Sequence, residues 1–136
     1  LLHPGTSRDS STVLSEQRDN VSRISGDLIE MRDQAHYVER LFSDGYCPQQ
    51  FGEALHGNWM RKRGLASSIS STNIDKWYEI AMQSGALGGK ICGAGGGGFL
   101  LLYVEPNRRS EVRKALSNLT ELPFGYEPLG SRSLLS

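Results

Sequence analysis

Apolar positions in the first half of the chain recur every three or four residues, the rhythm of helices with one buried face. Val13, Leu14, Gln17 and Val21 follow this spacing after Asp9 to Ser11, whose side chains can accept from a helix N-terminus. A second helix is predicted from Ser25 as its cap, with Leu28, Met31, Ala35, Val38 and Leu41-Phe42 along one face and Gly45 as its terminator. A third opens at Pro48 and continues through Phe51, Ala54-Leu55 and Trp59 toward Arg63. After a polar break at Ser67 to Thr72, Thr72 and Asp75 fit the two ends of a capping box. The helix they open carries Ile74, Trp77-Tyr78 and Ala81-Met82 on one face and stops at Gly85.

The rhythm then changes. Lys90 to Cys92 reads as a short extended stretch, and Phe99 to Val104 is apolar on both alternations and closed by Pro106, as in a buried central strand. Ser110 to Leu119 returns to helical spacing through Val112, Ala115-Leu116 and Leu119. Phe124 to Leu129 and Ser133 to Leu135 suggest a closing edge strand or hairpin, with Pro128 favouring the edge. Leu1-Leu2-His3-Pro4 reads as the end of an apolar strand entering a turn, so the chain is expected to be part of a longer polypeptide. Helices first, then strand, loop, strand, helix and strand, define an α+β class.

Composition narrows the function. The 136 residues carry fifteen Lys+Arg against fifteen Asp+Glu, so no basic excess is available for nucleic acid. The longest apolar run is far short of the roughly 20 residues that span a bilayer, which excludes a membrane helix. Cys47 and Cys92 form no CxxC, and no signal peptide is evident, so a reducing, cytoplasmic location is expected. The anomaly is glycine: eight of sixteen lie between Gly85 and Gly98.

Gly93-Ala94-Gly95-Gly96-Gly97-Gly98 satisfies GxGxxG literally, but the dinucleotide fingerprint requires a helix after the loop, and here a strand follows. A Walker A loop fails too, because no Gly-Lys-Ser/Thr follows. A simple hairpin needs only about two special residues. Four consecutive glycines cost about 2–4 kcal/mol at roughly 0.5–1 kcal/mol each, a large share of a typical stability of about 5–15 kcal/mol. A loop that turns N–H groups toward an anion, or admits another backbone closely, justifies that cost better.

The stretch Gly85-Ala86-Leu87-Gly88-Gly89-Lys90-Ile91-Cys92-Gly93-Ala94-Gly95-Gly96-Gly97-Gly98-Phe99-Leu100-Leu101 resembles the third conserved motif of the GHMP kinases. Gly5-Thr6-Ser7-Arg8 with Gln17, Phe51-Gly52-Glu53-Ala54-Leu55-His56 with Trp59, Ile74-Asp75-Lys76-Trp77-Tyr78, and Gly130-Ser131-Arg132 resemble the branch of sugar kinases typified by D-glycero-D-manno-heptose 7-phosphate kinase. The resemblance covers nearly the whole chain and implies a ferredoxin-like C-terminal domain with additional helices, spanning residues 1–136. It also implies that Gly93, Ala94, Gly95, Gly96, Gly97 and Gly98 line the ATP phosphate loop and the acceptor site. Mg-ATP is then held mainly by an N-terminal domain bearing Pro-x-x-Gly-Leu-Gly-Ser-Ser-Ser-Ala, a motif this sequence lacks. Gly64-Leu65-Ala66-Ser67-Ser68 is similar to that motif, but Ala66 replaces a glycine and the segment is expected to be an interhelical connection. Cys92, where the family favours Leu or Thr, and His3-Pro4, where an apolar residue and Tyr-Thr are usual, depart from the pattern.

The implied reaction phosphorylates heptose 7-phosphate at its anomeric hydroxyl. The alternatives are another sugar, such as fucose or galactose, or a non-catalytic ferredoxin-like binding module. No catalytic residue is expected on this chain, which alone is expected to be inactive and to self-associate through the face that meets its missing partner. Lys90, Arg8 and Arg132 are candidate phosphate or sugar contacts, the guanidinium groups suiting bidentate recognition. His36 and His56 have no ligand-spaced partners, so no metal site is expected. Arg61-Lys62-Arg63 reads as solvated, Trp59 and Trp77 as core, and Cys92 as a small buried hydrophobe.

Overall fold

The helical rhythm of the first half becomes four helices, and the later apolar runs become a sheet. A computed structural model describes residues 1–5, 10–93, 95–125 and 127–129. In chain order its elements are β1 (Leu2–His3), α1 (Ser10–Asp19), α2 (Val21–Asp44), α3 (Pro48–Gly64), α4 (Thr72–Gln83), β2 (Ala86–Cys92), β3 (Phe99–Val104), α5 (Arg109–Ala115) and β4 (Thr120–Glu121). The strands form one antiparallel sheet in the order β2-β3-β1-β4. With α1 to α4 between β1 and β2, and α5 between β3 and β4, this is the βαββαβ ferredoxin-like plan with extra helices in its first crossover. Among the described residues, no helix is long and apolar enough to cross a membrane.

Several local expectations shift. The division between the first two helices falls at Asn20, so Ser25 is inside α2 and bonds back to Ser22 O at 3.3 Å instead of capping. Gly45 ends α2 as expected, at φ 119°. The cap of α4 is Ser71, one residue before Thr72; its Oγ accepts from Ile74 N at 3.3 Å while Ser70 Oγ donates to Asp75 Oδ1 at 2.5 Å. The pair was displaced by one residue because adjacent serine and threonine are chemically equivalent caps. β2 begins at Ala86 and not at Lys90, since backbone pairing with β3 carries Gly88 and Gly89 without side-chain alternation. The last helix spans Arg109–Ala115 after a single 3₁₀ turn, shorter than the expected Ser110 to Leu119.

The closing strand is Thr120–Glu121, upstream of the expected Phe124 to Leu129, whose described residues form no strand; residues 133–135 lie outside the described ones. What selects Thr120 and Glu121 is the free edge of β1, where Leu2 faces Glu121 and His3 faces Thr120. β3 is internal to the sheet, yet only Leu100 is fully buried. β1 is two residues long and meets β3 at Leu2 opposite Leu100, which leaves Leu101 to Val104 half-covered.

One core holds these elements together. Ile91 and Leu100, cross-strand neighbours, are fully buried with Ile24, Trp59, Ile69, Ile74 and Leu116. Trp77 and Met31 pack against its rim, whereas Cys92 is half-buried. The α1–α2 pair diverges from expectation: Val13, Ile24 and Leu41 are buried, but Leu14, Val21, Leu28 and Phe42 are exposed. α3 crosses β2 at two glycines. A Cβ at Gly88 would stand 2.1 Å from Gly52 O, and one at Gly52 would stand 2.4 Å from Leu87 Cβ, so helix and strand backbones touch directly.

Candidate functional site

Cys92 and Phe99 are the last paired residues of β2 and β3, leaving six residues where a tight hairpin uses about two. The extra length folds back onto the segment joining α3 to α4. Gly96 N–H donates to Ile69 O at 2.7 Å. A Cβ at Gly95, whose φ is +120°, would lie 2.7 Å from Ile69 Cα and 2.9 Å from Ile69 O. Gly98, at φ +93°, admits Cys92 O to 2.4 Å of where its Cβ would be. Both glycines are thus demanded twice, by a left-handed backbone and by the approach of another main chain.

The 65–71 segment is a rigid backing for the loop. Leu65, Ala66 and Ile69 are buried in the core. From α1, the Glu16 carboxylate accepts from Ser67 N at 2.7 Å, Ser67 Oγ at 3.1 Å and Ser68 Oγ at 3.2 Å. The Ser67 N–H bond, followed by the hydroxyls, holds the Glu16 carboxyl below its ordinary value against the opposing effect of desolvation. Arg63 bonds Asp75 at 2.9 Å, tying the end of α3 to the start of α4. The segment that resembles a second phosphate loop is therefore an interhelical connection, as expected, with Ser67 N–H and both serine hydroxyls occupied by Glu16.

This latch has a pH signature. Because the folded Glu16 pKa is depressed, its contribution is complete above the unfolded value of 4.5 and is lost as pH falls through the lower folded value. Hydrogen exchange at the Ser67 and Gly96 amides is expected to accelerate together in acid beyond the intrinsic pH effect. In Glu16→Gln the two amides are expected to lose that titration. Protection at Ser67 that follows only the intrinsic curve in the parent chain would contradict the latch.

On its other side the loop meets a cation. Lys62 Nζ donates to Gly93 O at 2.8 Å. Burial, then the neighbouring Lys90, pushes the Lys62 ammonium below the ordinary lysine range. Lys90 pairs with Leu101 two residues after Gly88, and so shares the face of β2 turned toward α3. Lys62 is the functional candidate that the sequence reading missed. The run Arg61-Lys62-Arg63 is not uniformly solvated, because successive helical positions point about 100° apart. All three are half-buried: Arg61 reaches Glu30 at 2.6 Å, Arg63 reaches Asp75, and Lys62 reaches Gly93 O. The available signal was its spacing of three from the buried Trp59, which places both on one helix face.

Of the other candidates, Gly93 and Gly95 to Gly98 all lie in the loop, with Gly95, Gly96 and Gly97 buried. Ala94, Arg8 and Arg132 lie outside the described residues. His56 Nδ1 bonds the buried Tyr78 hydroxyl at 2.9 Å, and among the described residues no three His, Cys, Asp or Glu side chains converge as a metal site. The arrangement sets one ammonium group against a glycine wall fixed by the α3–α4 connection.

An antiparallel ferredoxin-like sheet whose β2–β3 loop is built of close-packed glycines defines the C-terminal domain of a GHMP kinase. The family model described as GHMP kinases C terminal matches residues 47–121, and the chain belongs to that family. It is 33% identical over 64 residues to D-glycero-alpha-D-manno-heptose 7-phosphate kinase of Campylobacter jejuni subsp. jejuni, a match covering 47% of this chain and 19% of that protein. It superposes on L. major mevalonate kinase in complex with R-mevalonate with a TM-score of 0.71 at 18% identity, over 86% of this chain and 36% of the other. A second mevalonate kinase structure gives 0.67 at 22% identity, over 86% and 35%. The structural likenesses establish the shared fold. The matched region is about a fifth of the curated relative's length and about a third of each solved chain.

Proposed function

We propose that residues 1–136 form the C-terminal domain of an ATP-dependent sugar kinase whose acceptor is heptose 7-phosphate, phosphorylated at the anomeric hydroxyl. The observation carrying this reading is the glycine loop, clamped on Ile69 and bonded by Lys62 at Gly93 O. The similarity to the heptose kinase and the branch motifs support the choice of acceptor. In this reading the loop forms one wall of the cleft, and its unreactive backbone suits a transfer that depends on positioning and charge stabilisation.

The residues present fit a wall facing phosphate. In this reading the nucleotide loop and the seat for Mg²⁺ belong to an N-terminal domain. The exposed apolar side chains of α1 and α2 are available to that domain. When bound, Mg-ATP supplies the γ-phosphoryl group; this chain shapes the cleft and excludes water from one side.

The test is ³¹P NMR of the full-length protein with Mg-ATP and heptose 7-phosphate, fucose or galactose. A new anomeric phosphate on heptose 7-phosphate is expected, and selective turnover of a neutral sugar would reassign the acceptor. The 136-residue chain alone is expected to transfer no phosphate. Turnover by that chain would place the catalytic machinery within it and overturn the two-domain assignment.

A further inference from the structure

β1 is two residues long, but both of its neighbours run on past it. On one side β3 continues from Leu100, opposite Leu2, to Val104. On the other, the β1–β4 ladder passes Glu121 to Leu122, whose N–H donates to Leu1 O at 2.8 Å. Because β1 lies between β3 and β4, these flanks stand two strand spacings apart, about 9–10 Å. Beyond Leu1 the interval is a cavity of about 560 Å³, with Leu101 to Val104 along one side and Leu122 to Phe124 along the other. Helices line it from both faces of the sheet. Phe51 of α3 meets Tyr103 with ring centroids 5.0 Å apart, while Leu102 and Val104 pack toward the core that holds Val112 of α5. The opening is one strand wide and, over four residues of β3, about 13 Å long.

The backbone of β3 is oriented for a strand in this slot. Successive residues of an antiparallel strand turn their N–H and C=O groups to opposite neighbours. Leu1 O faces β4, so Leu2 faces β3 and its partner Leu100 faces β1. By the same alternation Leu102 and Val104 turn their backbone groups into the slot. Val104 O accepts from Arg109 Nε at 3.5 Å, a long contact for a hydrogen bond. Such a row of backbone groups, walled by apolar side chains, is a template for a further strand.

We propose that the slot seats the residues joined directly upstream of Leu1, as a continuation of β1 antiparallel to β3. Extending the register of Leu2 with Leu100 sets the residues one and three before Leu1 opposite Leu102 and Val104. Those two positions share the core face and call for apolar side chains. The strand would enter beside Val104, at the end of β3 away from the glycine loop, and lead to His3, whose ring stands 5.4 Å from that of Phe99 at the loop's edge. The chain arriving from upstream would thus brace the strand that closes the loop. Such a seat exists whatever the kinase phosphorylates.

Hydrogen exchange in the full-length protein reads this backbone without a variant. The Leu102 and Val104 amides are expected to be protected like that of Leu100, and to exchange about tenfold or more faster in the 136-residue chain, as for loss of a hydrogen bond. Fast exchange of both in the full-length protein overturns the proposal. Equal protection in the 136-residue chain also overturns it, assigning the slot to another occupant such as a second copy. A cross-link fixes the register. In full-length protein carrying Cys47→Ser and Cys92→Ser, Tyr103→Cys is expected to form a disulfide with a cysteine placed two residues before Leu1, opposite it at the close cross-strand spacing of about 4.5 Å. A cysteine one residue before Leu1 points to the other face and is expected to stay free. Pairing from that position, or from neither, overturns the proposal. Neither measurement involves phosphoryl transfer, so inactivity toward every sugar would overturn the kinase reading and leave the strand seat standing.

Discussion

Gly88→Ala is expected to destabilise the domain by about 3 kcal/mol or more, at or beyond the upper end of ordinary overpacking. The new methyl would lie 2.1 Å from Gly52 O, 2.9 Å from Gly52 C and 3.2 Å from Gly52 Cα, all main-chain atoms of α3. No rotamer change relieves such a contact, so α3 must lift from β2. That helix carries the fully buried Trp59, and its displacement opens the centre of the core. Against a total stability of about 5–15 kcal/mol, the loss should lower Tm by roughly 10 °C or more. Gly52→Ala strains the same junction through Leu87, and the double variant should cost less than the sum of the two. Thermal unfolding measures each effect; a change below about 3 °C in Gly88→Ala would show that the backbones do not touch.

Gly95→Ala acts on the site more than on the fold. At φ +120° the alanine is strained by about 1–3 kcal/mol. Its methyl would also stand 2.7 Å from Ile69 Cα, so the loop must leave its backing and surrender the Gly96 N–H to Ile69 O bond. In the full-length kinase, a wall displaced by about 1 Å is expected to lower kcat/KM about a hundredfold. Gly93→Ala separates the causes, because φ is +113° there but nothing lies within 4 Å of the added methyl. It should therefore cost less activity than Gly95→Ala. Full activity in Gly95→Ala would remove the clamped loop from the mechanism.

The contrast between these two glycines bears on what could be read in advance. The run from Gly93 to Gly98 announces itself by composition and by its place between two extended stretches. Gly52 and Gly88 do not, being single residues inside a helix and a strand, and their need arises only where the two elements cross. Lys62 is a similar case. Its charge suggested solvent, while its helical phase relative to Trp59 brought it against the loop at Gly93 O.

Boundaries were legible only where one residue type determines them. Gly45 and Pro48 mark their helix ends correctly, since a left-handed φ and a missing N–H each suit few positions. The cap at Ser71 and the division at Asn20 were misplaced because neighbouring polar residues serve as well. The exposure of Leu28 and Phe42 was also hidden, as an apolar stripe records which face can be buried but not what covers it.

The sequence by itself determined the α+β class, the helices and the glycine loop, because periodicity and glycine chemistry act over a few neighbouring residues. Tertiary structure decided the strand order β2-β3-β1-β4, the location of β4 at two polar residues, the direct contact of α3 with β2, and the bond from Lys62 to Gly93 O. Each depends on surfaces brought together from distant parts of the chain. Pairing partners and close approaches are properties of those surfaces in combination, and no local pattern of side chains encodes them.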